Sequence, residues 1–515
     1  MAVFPRDESR VLAATILASS MAFIDGSALN VAMPVIQTSL SASGAELLWV
    51  ANVYLLVLAA FILVGGSLGD RLGRKRIFLA GIVLFTLASS ACGLSPSIRF
   101  LIAARTVQGF GGALMIPGSL SIISASVAAE RRGRAIGTWS AATTLVTIVG
   151  PALGGVLSDL GLWRLVFLIN LPLGIAAAFL TTGLSESRDA EATGGIDVAG
   201  ALLASLSLAA LAYGFISAPS FGFADPRIVV SLAVGLLALF LFIAVERQSA
   251  APMLPLSVFA SRDFSGANVL TFFLYGALSA VTLFMSLDLV QVHGYSKTQA
   301  GLAFLPFAIL LTLLSRWAGA LADRRGPRLL LGLGPALTGA GFFLISMADP
   351  SAGPGNYWRS FLPGILLFGA GMGLTVAPLS STVMGALPRR LSGTASGVNN
   401  AVSRAAGALA IAVLGSVALL VFSHELALAV ASSGLDAGAR AELLASARDL
   451  GATRPPPGLT SGAAESARRA VASSFAGAFR VVMLICSALA LASSLAAVLI
   501  LGRGPDREGG RASPE

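Results

Sequence analysis

Residues 65–76 read GGSLGDRLGRKR, and within them Asp70, Arg71, Arg74, Lys75 and Arg76 crowd into seven positions of a chain that is only 11% charged. Residues 47–69 before this knot and 77–98 after it contain no Asp, Glu, Lys or Arg outside the knot itself. Each gap matches the roughly 20 apolar residues with which a helix crosses a bilayer. The knot is therefore a loop between two membrane spans.

The rest of the chain extends the same pattern. With 56% hydrophobic residues and a mean hydropathy of +0.85 over 515 residues, the chain has more apolar surface than a water-soluble fold can hide. Charge-poor runs predict fourteen helices, at about 11–35, 47–69, 77–96, 100–126, 135–158, 165–184, 198–217, 228–245, 264–289, 298–322, 329–348, 360–386, 393–422 and 478–502. The first is read as a span and not as a cleavable signal peptide, because it runs through Asp25 to Pro34 without a small-residue exit. The expected class is an all-α integral membrane protein.

An even number of spans places both termini on one side. Of the 34 Lys and Arg, 20 lie in the termini and even-numbered loops, among them Arg131, Arg132, Arg134, Arg324, Arg325, Arg328, Arg389 and Arg390. Short basic loops stay in the cytoplasm, so both termini are expected inside a plasma membrane. The net charge of +9 is then a topology signal and gives no reason to expect nucleic acid. Arg outnumbers Lys 32 to 2, which hints at a GC-rich bacterial source. Cys92 and Cys486 fall within spans and imply neither a disulfide framework nor a metal site.

The knot recurs. GSLGDRLG at 66–73 aligns with GALADRRG at 319–326, matching Gly66, Leu68, Asp70, Arg71 and Gly73 with Gly319, Leu321, Asp323, Arg324 and Gly326. Both copies end the second helix of a six-helix group. The expected organisation is a six-helix half at 10–185, two extra helices with linkers at 186–262, a second six-helix half at 263–503 and a tail at 504–515. A long extracytoplasmic loop at 423–474 contains RPPPG and an amphipathic segment, LDAGARAELLASARDLG. Parallel six-helix repeats with a path between them are a transporter architecture. Within the knot, Asp70 sits where the helix dipole disfavours an anion, so a partner such as Arg71, Arg74 or another helix N-terminus is required. A contact made in one conformation and broken in another is a latch.

Ionisable residues inside spans are costly and mark function. Asp25, in MAFIDGSALNVAMP, and Arg105, in LIAARTVQGFGG, both fall in the outer half of their spans and can pair, either as a fixed structural bridge or as a working site. Arg404 is deep in its span, whereas Arg316 is near an end and can snorkel. Asp288, in SLDLVQVHGY, is read as an interfacial, wetted carboxylate, with a part in substrate binding or coupling as the alternative. Gly150, Pro151, Gly154 and Gly155 give the fifth span small residues for close helix contact and a bend.

Taken together, these motifs resemble the major facilitator superfamily, and within it the fourteen-helix drug:proton antiporters. GGSLGDRLGRKR resembles the signature of the loop between helices two and three. RTVQGFGG resembles the helix-four motif around Arg105, Gln108 and Gly109, and Gly137, Gly150, Pro151, Gly154 and Gly155 match the helix-five antiporter motif, with Val146 replacing an expected glycine. DGSALNVAMP, WRLVFLINLPLG from Trp163 to Gly174, and SGTASGVNNAVSRAAGALAIAVLG from Ser392 to Gly415 resemble the fourteen-helix group more narrowly. Asp288 departs from that pattern.

The resemblance implies export of amphipathic or cationic small molecules, such as drugs and antibiotics, in exchange for protons by alternating access. Asp25 and Arg105 would couple the proton, Gly66, Asp70, Arg71, Gly73 and Arg74 would form the latch, and Asn30, Gln108, Asp288, Asn399 and Arg404 would bear on substrate or coupling. A nutrient symporter or facilitator of the same fold is the alternative. A membrane-embedded enzyme is disfavoured, because the only histidines, His293 and His424, fall in predicted outer loops and no metal-ligand or nucleophile motif accompanies them. The expected partners are a small-molecule substrate, protons and the lipid bilayer, with no cofactor beyond the proton gradient and a single chain as the working unit.

Overall fold

The structure is a computed structural model, and it describes residues 5–188, 197–249, 252, 254–349, 353–387 and 392–501, apart from 432, 434, 448, 449, 451, 452, 454, 457 and 458. The helices are α1 Arg6–Ser39, α2 Gly44–Leu72, α3 Arg74–Gly93, α4 Ile98–Ser126, α5 Ala129–Asp159, α6 Leu165–Leu168, α7 Asn170–Thr182, α8 Val198–Phe221 and α9 Pro226–Gln248. They continue as α10 Arg262–Gln291, α11 Lys297–Leu302, α12 Leu305–Arg325, α13 Arg328–Ile345, α14 Tyr357–Ser360, α15 Leu362–Gly385, α16 Ser392–Ala431, α17 Ala437–Ala445 and α18 Ser461–Ile500. No strand occurs among the described residues. Thirteen helical segments there are long and apolar enough to cross a membrane. The count of fourteen is not reached, because the apolar part of α5 among the described residues is the shorter stretch Leu145–Asp159.

The helix ends follow from local chemistry. Ser43 and Ser296 each form a reciprocal capping box, with Glu46 and Gln299 respectively, at the starts of α2 and α11. The two copies of the repeated loop end their helices in the same way. Gly73 after α2 has φ +115° and Gly326 after α12 has φ +83°, conformations that an L side chain rarely adopts. The last glycine of each repeat thus turns the chain from one span into the next.

Packing repeats as the sequence does. In the first group α3 packs on α4, α4 on α2, α5 and α7 on α1, and α7 on α3. In the second group α13 packs on α15, α15 on α12, α16 and α18 on α10, and α18 on α13, the same pattern under the one-to-one correspondence of helices. The groups meet along α2 and α16, and where α5 packs on α11 and α1 on α10. The extra pair lies outside this seam: α8 packs on both α2 and α16, and α9 packs on α8. Gly214 and Gly235 lie against Leu232 and Leu211 there, and the Ser207 hydroxyl donates to the Gly235 carbonyl at 2.9 Å. Large apolar residues of α9, such as Leu236, Leu237 and Phe240, are exposed, as a lipid-facing helix requires.

One face of the bundle holds the first residues of α1 and the last residues of α18; Glu8 pairs with Arg131, and Arg328 donates to the Val498 carbonyl on this terminal face. The far face holds the α5–α11 junction. α16 and α18 are 40 residues each, roughly 60 Å of helix against a hydrocarbon core of about 30 Å. They therefore continue into the stretch expected as a loop at 423–474. Between them α17 lies within the anticipated amphipathic segment, and Leu435, Ala439, Leu443, Ala447 and Leu450 are buried at three- and four-residue spacing.

Candidate functional site: a buried carboxylate between α1 and α4

Asp25 lies mid-way along α1, and Arg105 and Gln108 lie on one face of α4, three residues apart. Ser97 caps the start of α4 by accepting from the Phe100 N–H at 3.3 Å, which sets the register that carries Arg105 into the bundle. All three side chains are buried, with Asp25 and Gln108 fully so and Arg105 exposed by 1%. Arg105 Nη1 donates to Asp25 Oδ2 and, at 2.9 Å, to Gln108 Oε1. Gln108 Nε2 donates to Asp25 Oδ1 at 2.9 Å, so each carboxylate oxygen has a donor. Arg105 Nε reaches the Val50 carbonyl of α2 at 3.4 Å, and the guanidinium lies 4.5 Å from the ring centre of Tyr54 and 5.9 Å from that of Phe167. The arrangement links α1, α2 and α4 through one charge pair.

Two ions out of water are stable together only when their remaining donors and acceptors are met, and this site meets them with an amide, a carbonyl and an aromatic face. Beside it the surface of α1 is uncovered. Gly26 is exposed and has nothing within 4 Å of where a Cβ would lie, and Asn30, one turn on, uses its amide on the Gly26 carbonyl at 3.3 Å.

The second group contributes different chemistry. Arg404 on α16 is half-buried and within electrostatic reach of Tyr54 and Tyr275. The Asn399 amide donates to Thr271 Oγ1 at 2.7 Å and to Asn268 Oδ1 at 3.2 Å on α10. Asp288 is not the wetted, interfacial group its position suggested. It is 1% exposed, because the turn after α10 folds His293 over it, with Nε2 at 3.2 Å from Oδ2. His424, expected in a loop, is an exposed residue of α16.

The small residues of α5 stand where backbones meet. A Cβ on Gly154 would lie 2.3 Å from the Ala28 carbonyl oxygen of α1, and one on Gly155 2.3 Å from the Lys297 carbonyl oxygen of α11. Gly150 faces Ser27, and Gly301 of α11 faces the Pro151 carbonyl at a comparable 2.2 Å. Past the motif, the Asp159 carboxylate accepts from the N–H groups of Lys297 at 3.0 Å and Thr298 at 2.8 Å and pairs with the Lys297 ammonium at 3.6 Å. Asp159 thus ties α5 to the start of α11 across the two groups. It was missed in the sequence, although it sits at a helix C-terminus and needs a partner for the same reason as Asp70.

Of the expected latch, Gly66 lies near Pro117 of α4, while the side chain of Asp70, like those of Arg316 and Asp323, lies outside the described residues, as does Gly137. The loop does have an acidic neighbour that the sequence reading did not single out. Glu186, in the segment after α7, accepts from the Lys75 N–H at 3.0 Å, lies 3.7 Å from Arg76 Nε and fills the space beside Gly73. Lys75 Nζ donates to the Thr182 carbonyl at 2.7 Å.

Comparisons with known proteins agree with this architecture. The profile of the Major Facilitator Superfamily matches residues 15–411. The chain is 36% identical over 419 residues to the multidrug resistance protein Stp of Mycobacterium tuberculosis (strain CDC 1551 / Oshkosh), covering 80% of this chain and 76% of that one. It is 32% identical over 400 residues to the tetracenomycin C resistance and export protein of Streptomyces glaucescens, covering 77% and 73%. Among solved structures, a bacterial homolog of the human lysosomal transporter Spinster, inward-facing and occupied, superposes with a TM-score of 0.63 at 20% identity over 97% of each chain. That likeness concerns the fold alone.

The buried pair predicts strong coupling between its members. Arg105→Gln should cost about 3–5 kcal/mol by leaving Asp25 unpaired, and the double variant Asp25→Asn/Arg105→Gln should recover at least about 1 kcal/mol of that loss. Thermal unfolding in detergent, followed by reaction of the buried Cys92 and Cys486 thiols with a dye, measures both. Additive losses would contradict the pairing.

Proposed function

We propose that this chain, which belongs to the major facilitator superfamily, exports small amphipathic or cationic molecules across a bacterial plasma membrane in exchange for protons. The observation that carries the reading is Asp25, a carboxylate buried mid-span on Arg105 and Gln108 beside the open space at Gly26. The names of the relatives, a multidrug resistance protein and an antibiotic resistance and export protein, support the substrate class. The excess of basic residues on the terminal face supports cytoplasmic termini and an extracytoplasmic far face.

The chemistry follows from one group serving two ligands. The Asp25 carboxylate can hold either a proton or the Arg105 guanidinium, so loss of one partner admits the other. Opening toward the far face admits a proton to the carboxylate. Opening toward the cytoplasm releases it, and substrate then competes for the charged form. One proton crossing 100 mV inward supplies about 2.3 kcal/mol toward export of a neutral molecule, whereas one-for-one exchange with a monovalent cation moves no net charge and is driven by the pH gradient. The antiporter glycines support exchange over symport, because they let α5 seal against α1 and α11 while Asp25 is three residues from Ala28, the contact of Gly154. The path lies within one chain, and the reading requires neither cofactor nor catalysis.

The loop at 65–76 is the second moving part of the proposal. Gly73 and the basic residues after it lie against Glu186 at the terminal face, where a contact that differs between states would set the rate of interconversion.

Inverted vesicles loaded with the chain should accumulate a fluorescent lipophilic cation, ethidium, and lose it on addition of a protonophore. Asp25→Asn should abolish that accumulation and Asp25→Glu retain part of it. A protonophore-sensitive gradient built by Asp25→Asn would remove Asp25 from the coupling role. In the same assay Asp70→Asn should lower turnover strongly while half-saturation stays within a few-fold, since a switch contact does not touch the ligand. Normal turnover would leave the loop as a basic membrane-side anchor with no part in switching.

A further inference from the structure

A second buried ionisable cluster lies at the far-face end of α10, outside the Asp25 site. The helix ends there with the N–H groups of Val292 and His293 both on the Asp288 carbonyl, at 3.0 and 3.2 Å, and with Tyr295 N–H on the Leu289 carbonyl at 2.9 Å. Gly294, at φ +68°, permits the reversal. The turn brings His293 and Tyr295 back over Asp288, and Phe361 roofs them, its ring 4.9 Å from His293 and 6.2 Å from Tyr295. Asp288, His293 and Tyr295 are 1%, 5% and 6% exposed.

The polar atoms enclosed here are under-satisfied. Both Asp288 carboxylate oxygens, Gln291 Oε1 and the Tyr295 hydroxyl have no hydrogen-bond partner. His293 Nε2 lies 3.2 Å from Asp288 Oδ2, an ion-pair distance. Native interiors rarely leave so many acceptors unmet in one place. No group of three His, Cys, Asp or Glu that could hold a metal ion occurs among the described residues. A proton is the small cation that a carboxylate and an imidazole can share.

We propose that Asp288 and His293 form a second proton-binding site, covered by the turn after α10 and tied to α1 through Gln291. The proton lies between Asp288 Oδ2 and His293 Nε2, so the dyad alternates between a protonated, neutral pair and an uncovered carboxylate. Gln291 Nε2 reaches Gln37 Oε1 of α1 at 3.4 Å, which joins the site to the opposite six-helix group. Parting α1 from α10 exposes the dyad to far-face water, and closing buries it with its proton. This role rests on the rocking of the two groups proposed above.

Among the described residues, no further charged side chain is buried beside the dyad. Tyr295 is the titratable neighbour from the same turn, its hydroxyl held above the usual tyrosine range by burial and the Asp288 carboxylate. Behind it, Tyr357 of α14 donates to the Ala303 carbonyl at 2.9 Å. α1 contributes the uncharged Gln37, and α15 has no ionisable residue. Lys297 of α11 is paired with Asp159, while His424 and Glu425 of α16 and Arg480 of α18 are at exposed positions.

The two histidines of the chain make the test direct. In detergent-solubilised full-length protein carrying 13C-labelled histidine, His424→Asn identifies the His293 imidazole signal, which is followed by NMR across roughly pH 5–9. His293 should titrate apart from His424, and Asp288→Asn should lower its midpoint by about one pH unit or more, a tenfold loss of proton affinity. A wild-type His293 signal that follows His424, or that does not move across the range, overturns the proposal whether or not any variant folds. So does an unchanged midpoint in Asp288→Asn, with Asp288→Ser as the second variant. The readout uses neither substrate nor gradient. Failure here therefore leaves the export reading standing, and failure of the transport assay leaves this site standing.

Discussion

The bundle is organised around one buried charge pair. Asp25 and Arg105 can occupy the interior only together, because either alone would leave an uncompensated ion in a medium that solvates it poorly. That requirement fixes α1 against α4, and through the Val50 carbonyl and the Tyr54 ring it fixes both against α2. In the proposed exchange it also makes the position of α1 sensitive to one proton. Neutralising Asp25 leaves Arg105 with Gln108, a carbonyl and an aromatic face, but with no counter-ion at the site.

The consequence of moving α1 is felt at the far face. Asp25 is one turn from Ser27 and Ala28, which touch the backbone of α5 at Gly150 and Gly154. The next glycine, Gly155, meets α11 of the opposite group, and Asp159 finishes the seam on the N–H groups of Lys297 and Thr298. Interfaces this close tolerate two packings better than intermediate ones, since backbones without side chains between them must either touch or part. In the proposed exchange the glycines would convert a small displacement of one helix into opening or closing of a face.

Much of this was legible in the sequence, for identifiable reasons. Charge-poor runs reported the spans because lipid excludes charge, and the 253-residue repeat reported the two groups because Gly73 and Gly326 perform the same turn. Asp25 and Arg105 stood out because ionisable residues in spans are expensive, Gln108 only through the resemblance of RTVQGFGG to the helix-four motif, and the structure brings the three together. What escaped were contacts made by chain reversal or by residues at span ends. Asp288 looked wetted because its distance from the helix end was visible, whereas the turn at Gly294 that folds His293 and Tyr295 over it was not. Glu186 and Asp159 were hidden in loops and helix ends where an acid is commonplace, and their partners are 111 and 138 residues away along the chain. The helical continuations of α16 and α18 escaped because hydropathy measures the membrane and not the helix.

The central claim is that Asp25 itself takes up and gives back a proton in the working protein. pH-difference infrared spectroscopy of the reconstituted chain reads that event through the carbonyl stretch of a protonated, buried carboxylic acid. Lowering the pH should produce such a band in the wild-type protein, the component due to Asp25 should be absent from Asp25→Asn, and it should shift in Asp25→Glu. A wild-type spectrum that Asp25→Asn reproduces in full would contradict the account, because the charge pair would then be a fixed brace and the proton would travel elsewhere.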